Sequence, residues 1–443
     1  MGPIKRMEKR GYRITEKDVS FRQPQRGGRI VETQSIKVPQ LMWHGNSDLE
    51  LSFPKTWEVI LCQMMGHSRP KLSRGQMRRA FSRPIGSRPI RDVAKGKREV
   101  VILFDDLSRP TRAAEIVPLV LEELEEGGIG DEQIRFIAAL GAHGAHTNAD
   151  FRKKLGEEVP ERFRVYNHNP FGNCTPLGKT RLGTPLAVNS EVMACDLKIG
   201  IGCLCPHGFS GYGGGGKILM PGVASMEAIF FNHATLLQAP RDLWGTGKFE
   251  KNVFREDIEE ATRMAGLDIK IDAVVNGRGE AVSLFVGDPI LEHREGVKLA
   301  KTVYGTRATR EADVVVVNNY CKANEATIGI EMAARALKKG GGDLVLIANV
   351  PEGQVTHYLF GNFGKIHKGG SLSLQSGLPP EVDRFIIFAP YGDRAGGDYF
   401  GPASSITWKK RWDDVLGILE NRWGNRARVV VYPDATIQYV PGG

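Results

Sequence analysis

"REVVILFDDLSRPTRAAEIVPLVLEELEEGG", residues 98–128, decides how the rest of the chain is read. Its apolar run ends at Phe104, a polar turn follows, and apolar residues then recur at helical spacing until two glycines stop them. A strand without a polar face, followed at once by a helix, is the unit of a parallel sheet covered on both sides. The unit repeats. "QIRFIAALG" (133–141) reads as a second buried strand, and Thr147 with Asp150 three residues on opens the next helix. "DLKIGIGCL" (196–204) is a third strand and runs straight into "CPHGFSGYGGGGKILMPG" (205–222).

The same grammar restarts at "ADVVVVNNY" (312–320). A helix is predicted over 325–342, then strands at "DLVLIANV" (343–350), "DRFIIFAP" (383–390) and "RVVVYPD" (428–434). Residues 276–305 between the two runs read as a hairpin-like end of one domain and a connecting helix. The expectation is therefore two α/β domains with mainly parallel sheets, residues 1–285 and 286–443, with the active site in the cleft between them.

Bulk properties exclude several classes. A length of 443 residues asks for more than one core, and 41% hydrophobic with 25% charged residues is the composition of a soluble globular protein. No run reaches 18 apolar residues, and the start of the chain has neither a signal-peptide core nor a myristoylation pattern, so a cytoplasmic protein with no membrane partner is expected. The net charge of +9 is concentrated in residues 67–98, but no nucleic-acid-binding motif accompanies it, and no nucleic-acid partner is expected. Six scattered cysteines do not form a disulfide framework. Cys203 and Cys205 make a C-x-C pair with no second pair at zinc spacing, and read as buried thiols.

Ligands of open α/β sheets bind beyond the carboxyl ends of the strands. Three reactive segments hold that position: "DDLSRPT" (105–111), "GAHGAHT" (141–147) and "CPHGFSGYGGGGK" (205–217). The last is not a P-loop, because Lys217 is followed by Ile218 where a magnesium-binding hydroxyl is required. Its glycines can still bring backbone close to a ligand. His233, in "FFNHATL", follows on a predicted helix.

Taken together, D-D-x-x-R-P-T at 105–111, G-x-H at 141–143, P-H-x-x-x-G-Y-x-G-G-x-K at 206–217 and P-G followed by N-H at 221–233 resemble the lactate racemase (LarA-type) family of nickel-pincer nucleotide-dependent racemases and epimerases. The similarity takes in residues 84–104 and covers most of 80–300. It implies a cofactor made of a pyridinium-3-thioamide-5-thiocarboxylic acid mononucleotide carrying nickel. Lys217 would be its covalent tether and His233 the protein's nickel donor. Gly213, Gly214, Gly215, Gly216, Thr111 and Tyr212 would line the cofactor. His143 and His207 would be the acid/base pair, with Asp106 and Arg109 at the substrate end. The implied partners are a small 2-hydroxy acid and, transiently, cofactor-synthesis proteins.

The residue types suit that chemistry. Removing the C2 hydrogen as hydride avoids a carbanion beside a carboxylate, while histidine is the side chain fitted to exchange the hydroxyl proton at neutral pH. Soft sulfur with imidazole nitrogen suits nickel, and Arg109 offers a planar fork to a carboxylate. Two departures concern substrate. Gly144 follows the first histidine where lactate-racemising members carry arginine, and "YCKAN" places Cys321 and Asn324 where a Y-Q-x-x-K segment has glutamine and lysine; Lys322 is the neighbouring cation. Plain lactate is accordingly expected to be a poor substrate. The alternatives are another hydride-transfer isomerase using the same cofactor, or a non-catalytic cofactor-binding protein.

Overall fold

The computed structural model describes residues 32–360, 378–393, 400–401 and 403–442. The chain enters as a hairpin, β1 (Thr33–Gln40) against β2 (Ser47–Pro54), followed by β3 (Glu58–Leu61). The first large sheet begins at β4 (Val100–Asp105), whose six residues are all buried, then β5 (Ile134–Ala139) and β6 (Arg164–Asn167). A small hairpin, β7 (Cys174–Lys179) with β8 (Pro185–Asn189), precedes β9 (Leu197–Cys203). The glycine-rich segment contributes a two-residue pair, β10 (Pro206–His207) and β11 (Gly211–Tyr212). β12 (Ile269–Val275) and the antiparallel β13 (Ala281–Gly287) finish the sheet, in the order β13-β12-β9-β4-β5-β6. The second sheet takes β14 (Val314–Asn319), β15 (Gly342–Ala348), β16 (Val382–Phe388), β17 (Ile406–Lys409) and β18 (Arg428–Tyr432), in the order β17-β16-β15-β14-β18-β3, all parallel.

Alternation along the strands gives each sheet two apolar faces. In β4, Val100, Ile102 and Phe104 enter one core and Val101 and Leu103 the other. In β14, Val314 and Val316 face one side, Val315 and Val317 the opposite. The helices end where local chemistry dictates. Thr147 and Asp150 form the expected capping box on Asn148–Leu155, and the helix Ala113–Glu126 stops at the two glycines.

Two expectations need correction. The chain does not divide once at residue 285. β3 lies in the second sheet beside β18, and Val38, Leu51, Phe53 and Trp57 pack into that domain's core, with the Phe53 and Trp412 rings 5.3 Å apart. Conversely, β13 and the helix Leu291–Tyr304 complete the first domain, because Val297, Ala300 and Val303 bury against its sheet. The predicted helix over 325–342 is instead a 3-10 segment, Ala323–Gly329, leading into a short α-helix, Ile330–Ala336. Glu325 sits there with non-helical backbone (φ −120°, ψ 47°). No helix among the described residues is long and apolar enough to cross a membrane.

Each sheet changes direction of growth once. In the first, the chain moves outward from β4 through β5 and β6, then returns to place β9 on the other side of β4. In the second, β18 returns beside β14 after β15, β16 and β17. Such switch points leave a crevice past the strand ends. The two crevices open onto one cleft of about 410 Å³, which carries Asp105, Asp106, Cys203 and His207 from one side and Lys322, Glu325, Ala435 and Thr436 from the other.

Candidate active site in the cleft

The turn after β4 is held rigidly from beneath. Lys154, fully buried on the helix Asn148–Leu155, lies 2.7 Å from Asp105 Oδ1 and donates to the carbonyls of Asp106 (2.8 Å) and Arg109 (2.9 Å). Ser108 N–H donates to Asp106 Oδ1 at 3.0 Å. Thr111 is spent in the same way. Its hydroxyl donates to Asp105, so it supports the turn instead of lining the cleft as expected.

His143 follows β5 and meets Asp106 through Nδ1. Its Nε2 lies 3.3 Å from Glu325 Oε1 across the cleft, and the other oxygen of Glu325 takes the Arg109 guanidinium. Burial opposes charging the imidazole, but Asp106 and then Glu325 outweigh it and hold the His143 pKa up at about 9. Burial also works against both carboxylates. It is overcome by His143 and Arg109 at Asp106, and by Arg109 and His143 at Glu325, and both stay below the usual carboxylate range. His146, the competing histidine of the same loop, accepts the Leu107 N–H at 3.1 Å and is structural.

The glycine-rich segment presents the opposite state. His207 Nδ1 accepts the Phe209 N–H at 3.1 Å, which leaves the ring proton on Nε2, 3.3 Å from Lys217 Nζ. Burial and then the neighbouring Lys217, Lys322 and Arg109 keep His207 uncharged. Burial, followed by Arg109, Arg255 and Lys322, drives the Lys217 amine well below the ordinary lysine range. The cleft thus sets a histidine held toward its charged form, His143, against one held toward its neutral form, His207, beside a lysine whose proton is weakly held.

Of the four glycines, Gly213 and Gly214 line the cleft. Gly214 has φ +76°, and a Cβ there would stand 2.6 Å from Asp272 Oδ2. Gly215 and Gly216 turn away from the expected ligand. A Cβ on Gly216 would lie 1.9 Å from the Thr262 hydroxyl, so its missing side chain lets the loop seat on the helix Val253–Ala265. Gly215 abuts His293 in the same way. Tyr212 is also displaced from its expected role; fully buried, it donates to the Tyr439 hydroxyl at 3.0 Å and ties the loop to the end of the chain. Cys203 and Cys205 are buried, and Cys203 reaches the cleft. The Cys205 thiol is lowered to about 6 by its hydrogen bond with Cys203 and, against burial, by Lys322 and Arg109.

His233 lies on a π-helical turn, Phe231–Thr235, that extends the helix Met226–Phe230, a distortion frequent at functional sites. Its Nδ1 is buried with no hydrogen-bond partner, and burial, then Lys217, lowers its pKa to about 3. Its uncharged ring lines the cleft wall. Among the described residues, no three His, Cys, Asp or Glu side chains group as a metal site. A metal here would take most of its donors from a bound molecule.

From the second domain, Lys322, Glu325, Thr327 and His357 enter the cleft. The His357 ring stands 5.1 Å from that of His143. The remaining expected substrate residues, Gly144, Cys321 and Asn324, do not join them. They line a separate cavity of about 220 Å³ with Trp43 and Tyr320, because the chain turns between Asn324 and Glu325. Three residues here escape sequence reading. Lys154 looks like a solvated helix lysine, and His357 sits in a stretch without periodicity. Glu325 alone carried a signal, being a carboxylate just past the end of a buried strand.

Comparison with known proteins agrees with this construction. Residues 44–245 match the lactate racemase N-terminal domain family. A lactate racemase of Thermoanaerobacterium thermosaccharolyticum is 27% identical over 328 residues, covering 72% of this chain and 75% of the relative. One of Lactiplantibacillus plantarum is 27% identical over 283 residues, covering 62% and 66%. The lactate racemase apoprotein of the former organism superposes with a TM-score of 0.69 at 23% identity, over 92% of this chain and all of that one. A Thermotoga maritima protein superposes with a TM-score of 0.62 at 17% identity, over 84% and 99%. Over residues 44–245 the chain is similar to the lactate racemase N-terminal domain family, and its fold is that of the lactate racemase apoprotein.

Proposed function

We propose that the chain is an isomerase that inverts C2 of a 2-hydroxy acid by reversible hydride transfer, using a nickel-pincer nucleotide. The observation that carries this reading is the company of four side chains in one cleft: His143, His207, Lys217 and His233. The residues fit the cofactor. Burial and neighbouring cations weaken the hold of Lys217 on its proton, which favours the unprotonated form a nucleophilic amine needs, and His233 offers an imidazole nitrogen where the described residues hold no other donor cluster. When bound, the cofactor supplies a reversible acceptor for the C2 hydride.

The chain's own residues manage the proton and the oxygen. His143 and His207 both present Nε2–H to the cleft in the resting state. His143 acts as base on the C2 hydroxyl after losing that proton to solvent, whereas the already neutral His207 does so once its proton sits on Nδ1, which gives up the hydrogen bond from the Phe209 N–H. The hydroxyl proton then passes to imidazole as the carbonyl forms, and the other histidine returns a proton when hydride comes back on the opposite face. Asp106 fixes the His143 ring, as a carboxylate on Nδ1 does for any histidine that works through Nε2.

The test is intact mass and metal content after co-expression with cofactor-synthesis proteins. A covalent adduct of nucleotide size, or retained cofactor, with about one nickel per chain is expected. Absence of both from soluble, folded protein overturns the reading.

A further inference from the structure

Resting on that reading, we infer that Glu325 is a specificity-determining residue that reserves Arg109 for the protein itself and selects a monocarboxylic 2-hydroxy acid bearing at least one further hydroxyl. Arg109 is the cation expected to take a substrate carboxylate, but Glu325 already occupies it and also contacts His143 Nε2 at 3.3 Å. All three side chains are largely buried, so the arrangement is not a solvated surface pair. Lys322 is differently placed. Almost fully buried, it donates to the Pro206 carbonyl at 3.3 Å and neighbours the Cys205 thiol, and among the described residues no carboxylate pairs with it. One cation without a carboxylate partner fits one substrate carboxylate.

Beyond the carboxylate, polar groups stand among the apolar Ile328, Met332 and Phe360. Glu325 is an acceptor, Thr327 follows two residues on, and Thr246 donates to Glu331 at 3.1 Å. Arg335 is paired with Glu331 at 3.2 Å. A methyl group leaves Glu325 without a donor, and a second carboxylate would meet the charges of Glu325 and Glu331. A polyhydroxy monocarboxylate gives Glu325 the donor that replaces His143 Nε2 once that nitrogen turns to the C2 oxygen.

The experiment uses the full chain, with and without cofactor, and three probes: D-gluconate, D-lactate and D-malate. Binding is read by calorimetry, and kcat and KM separately on loaded protein. Gluconate should bind wild type at least tenfold more tightly than lactate or malate. In E325Q, which keeps shape but frees the Arg109 charge, the gluconate preference should fall at least tenfold and malate should gain. K322M should weaken gluconate binding at least tenfold, with the thermal midpoint as the control for folding. Equal gluconate and lactate binding by wild type, or an unchanged ratio in both E325Q and E325D, overturns the inference. Because binding is read without turnover, a protein that takes up no nickel cofactor yet shows the predicted ligand ratios refutes the proposed reaction and not the role of Glu325.

Discussion

Replacing Asp106 by asparagine isolates the largest electrostatic commitment of the site. The change keeps the shape and leaves an oxygen for the Ser108 N–H, but removes the negative charge from His143 Nδ1. In the intact protein, His143 rises from 6.5 to about 9. At about 1.4 kcal/mol for each pH unit, that rise stabilises the folded state by about 3 kcal/mol. The sign follows from the direction: the folded pKa is above the unfolded one, so this contribution is complete below pH 6.5 and is lost as pH climbs through 9. In Asp106→Asn, burial acts on His143 with only Glu325 against it, and the pKa should fall toward or below 6.5. Urea unfolding at pH 6, 7.5 and 9.5, with NMR titration of the His143 ring, checks both halves. The variant should be about 3 kcal/mol less stable at pH 6, somewhat less penalised at 7.5, and nearly level with wild type at 9.5. A penalty equal at all three pH values, or a His143 midpoint that stays near 9, would refute the ion-pair account.

Other outcomes follow from the same geometry. If His143 must lose its Nε2 proton to act as base, kcat in the direction that uses it should climb with pH toward 9, and Glu325→Gln should shift that rise to lower pH; a flat profile counts against it. Lys217→Met should abolish the covalent adduct in intact-mass spectra while the thermal midpoint changes little, since no charge is added to the buried cations around it. His233→Ala should lose nickel by metal analysis of purified protein and, since it uncovers no buried partner, should leave the fold intact. Lys154→Met should cost about 3–5 kcal/mol in unfolding at neutral pH, the range for stripping one partner from a buried pair. The cost should be smaller at pH 5, where Asp105, whose pKa burial raises despite Lys154, can take up a proton instead.

How much of this was legible in the sequence depends on which residues report their surroundings through periodicity. β4 and β14 open with uninterrupted apolar runs, and β5 and β9 are broken only by Arg135 and Lys198; a chain cannot write such runs without burying them on both faces. β3 was not legible. Glu58–Leu61 is four residues long, exposed or half-buried along its length, and reaches the second sheet through a pairing 370 residues away in sequence. Nothing local encodes an edge strand recruited from so far. The single boundary at 285 failed for the same reason, since β13 closes its sheet by an antiparallel turn that looks like an ending while the helix Leu291–Tyr304 still has a face to bury there.

In the site, the segments after β4, β5 and β9 were legible from their position past strand ends, and Asp106, Arg109, His143, His207 and Lys217 within them from the resemblance that their joint pattern carries. Errors arose where the chain reverses within a few residues. Cys321, Lys322, Asn324 and Glu325 are nearly consecutive, yet the non-helical backbone at Glu325 sends Lys322 and Glu325 into the cleft and the other two into a neighbouring cavity. A motif match that is one or two positions off register therefore exchanges substrate residues for packing residues. The proposal that lactate is a poor substrate therefore moves to a different foundation. It rested on a missing lysine at Asn324 and a missing arginine at Gly144, both of which face away from the reacting groups. It now rests on a carboxylate that is present, Glu325, held against the cation a small hydroxy acid would need.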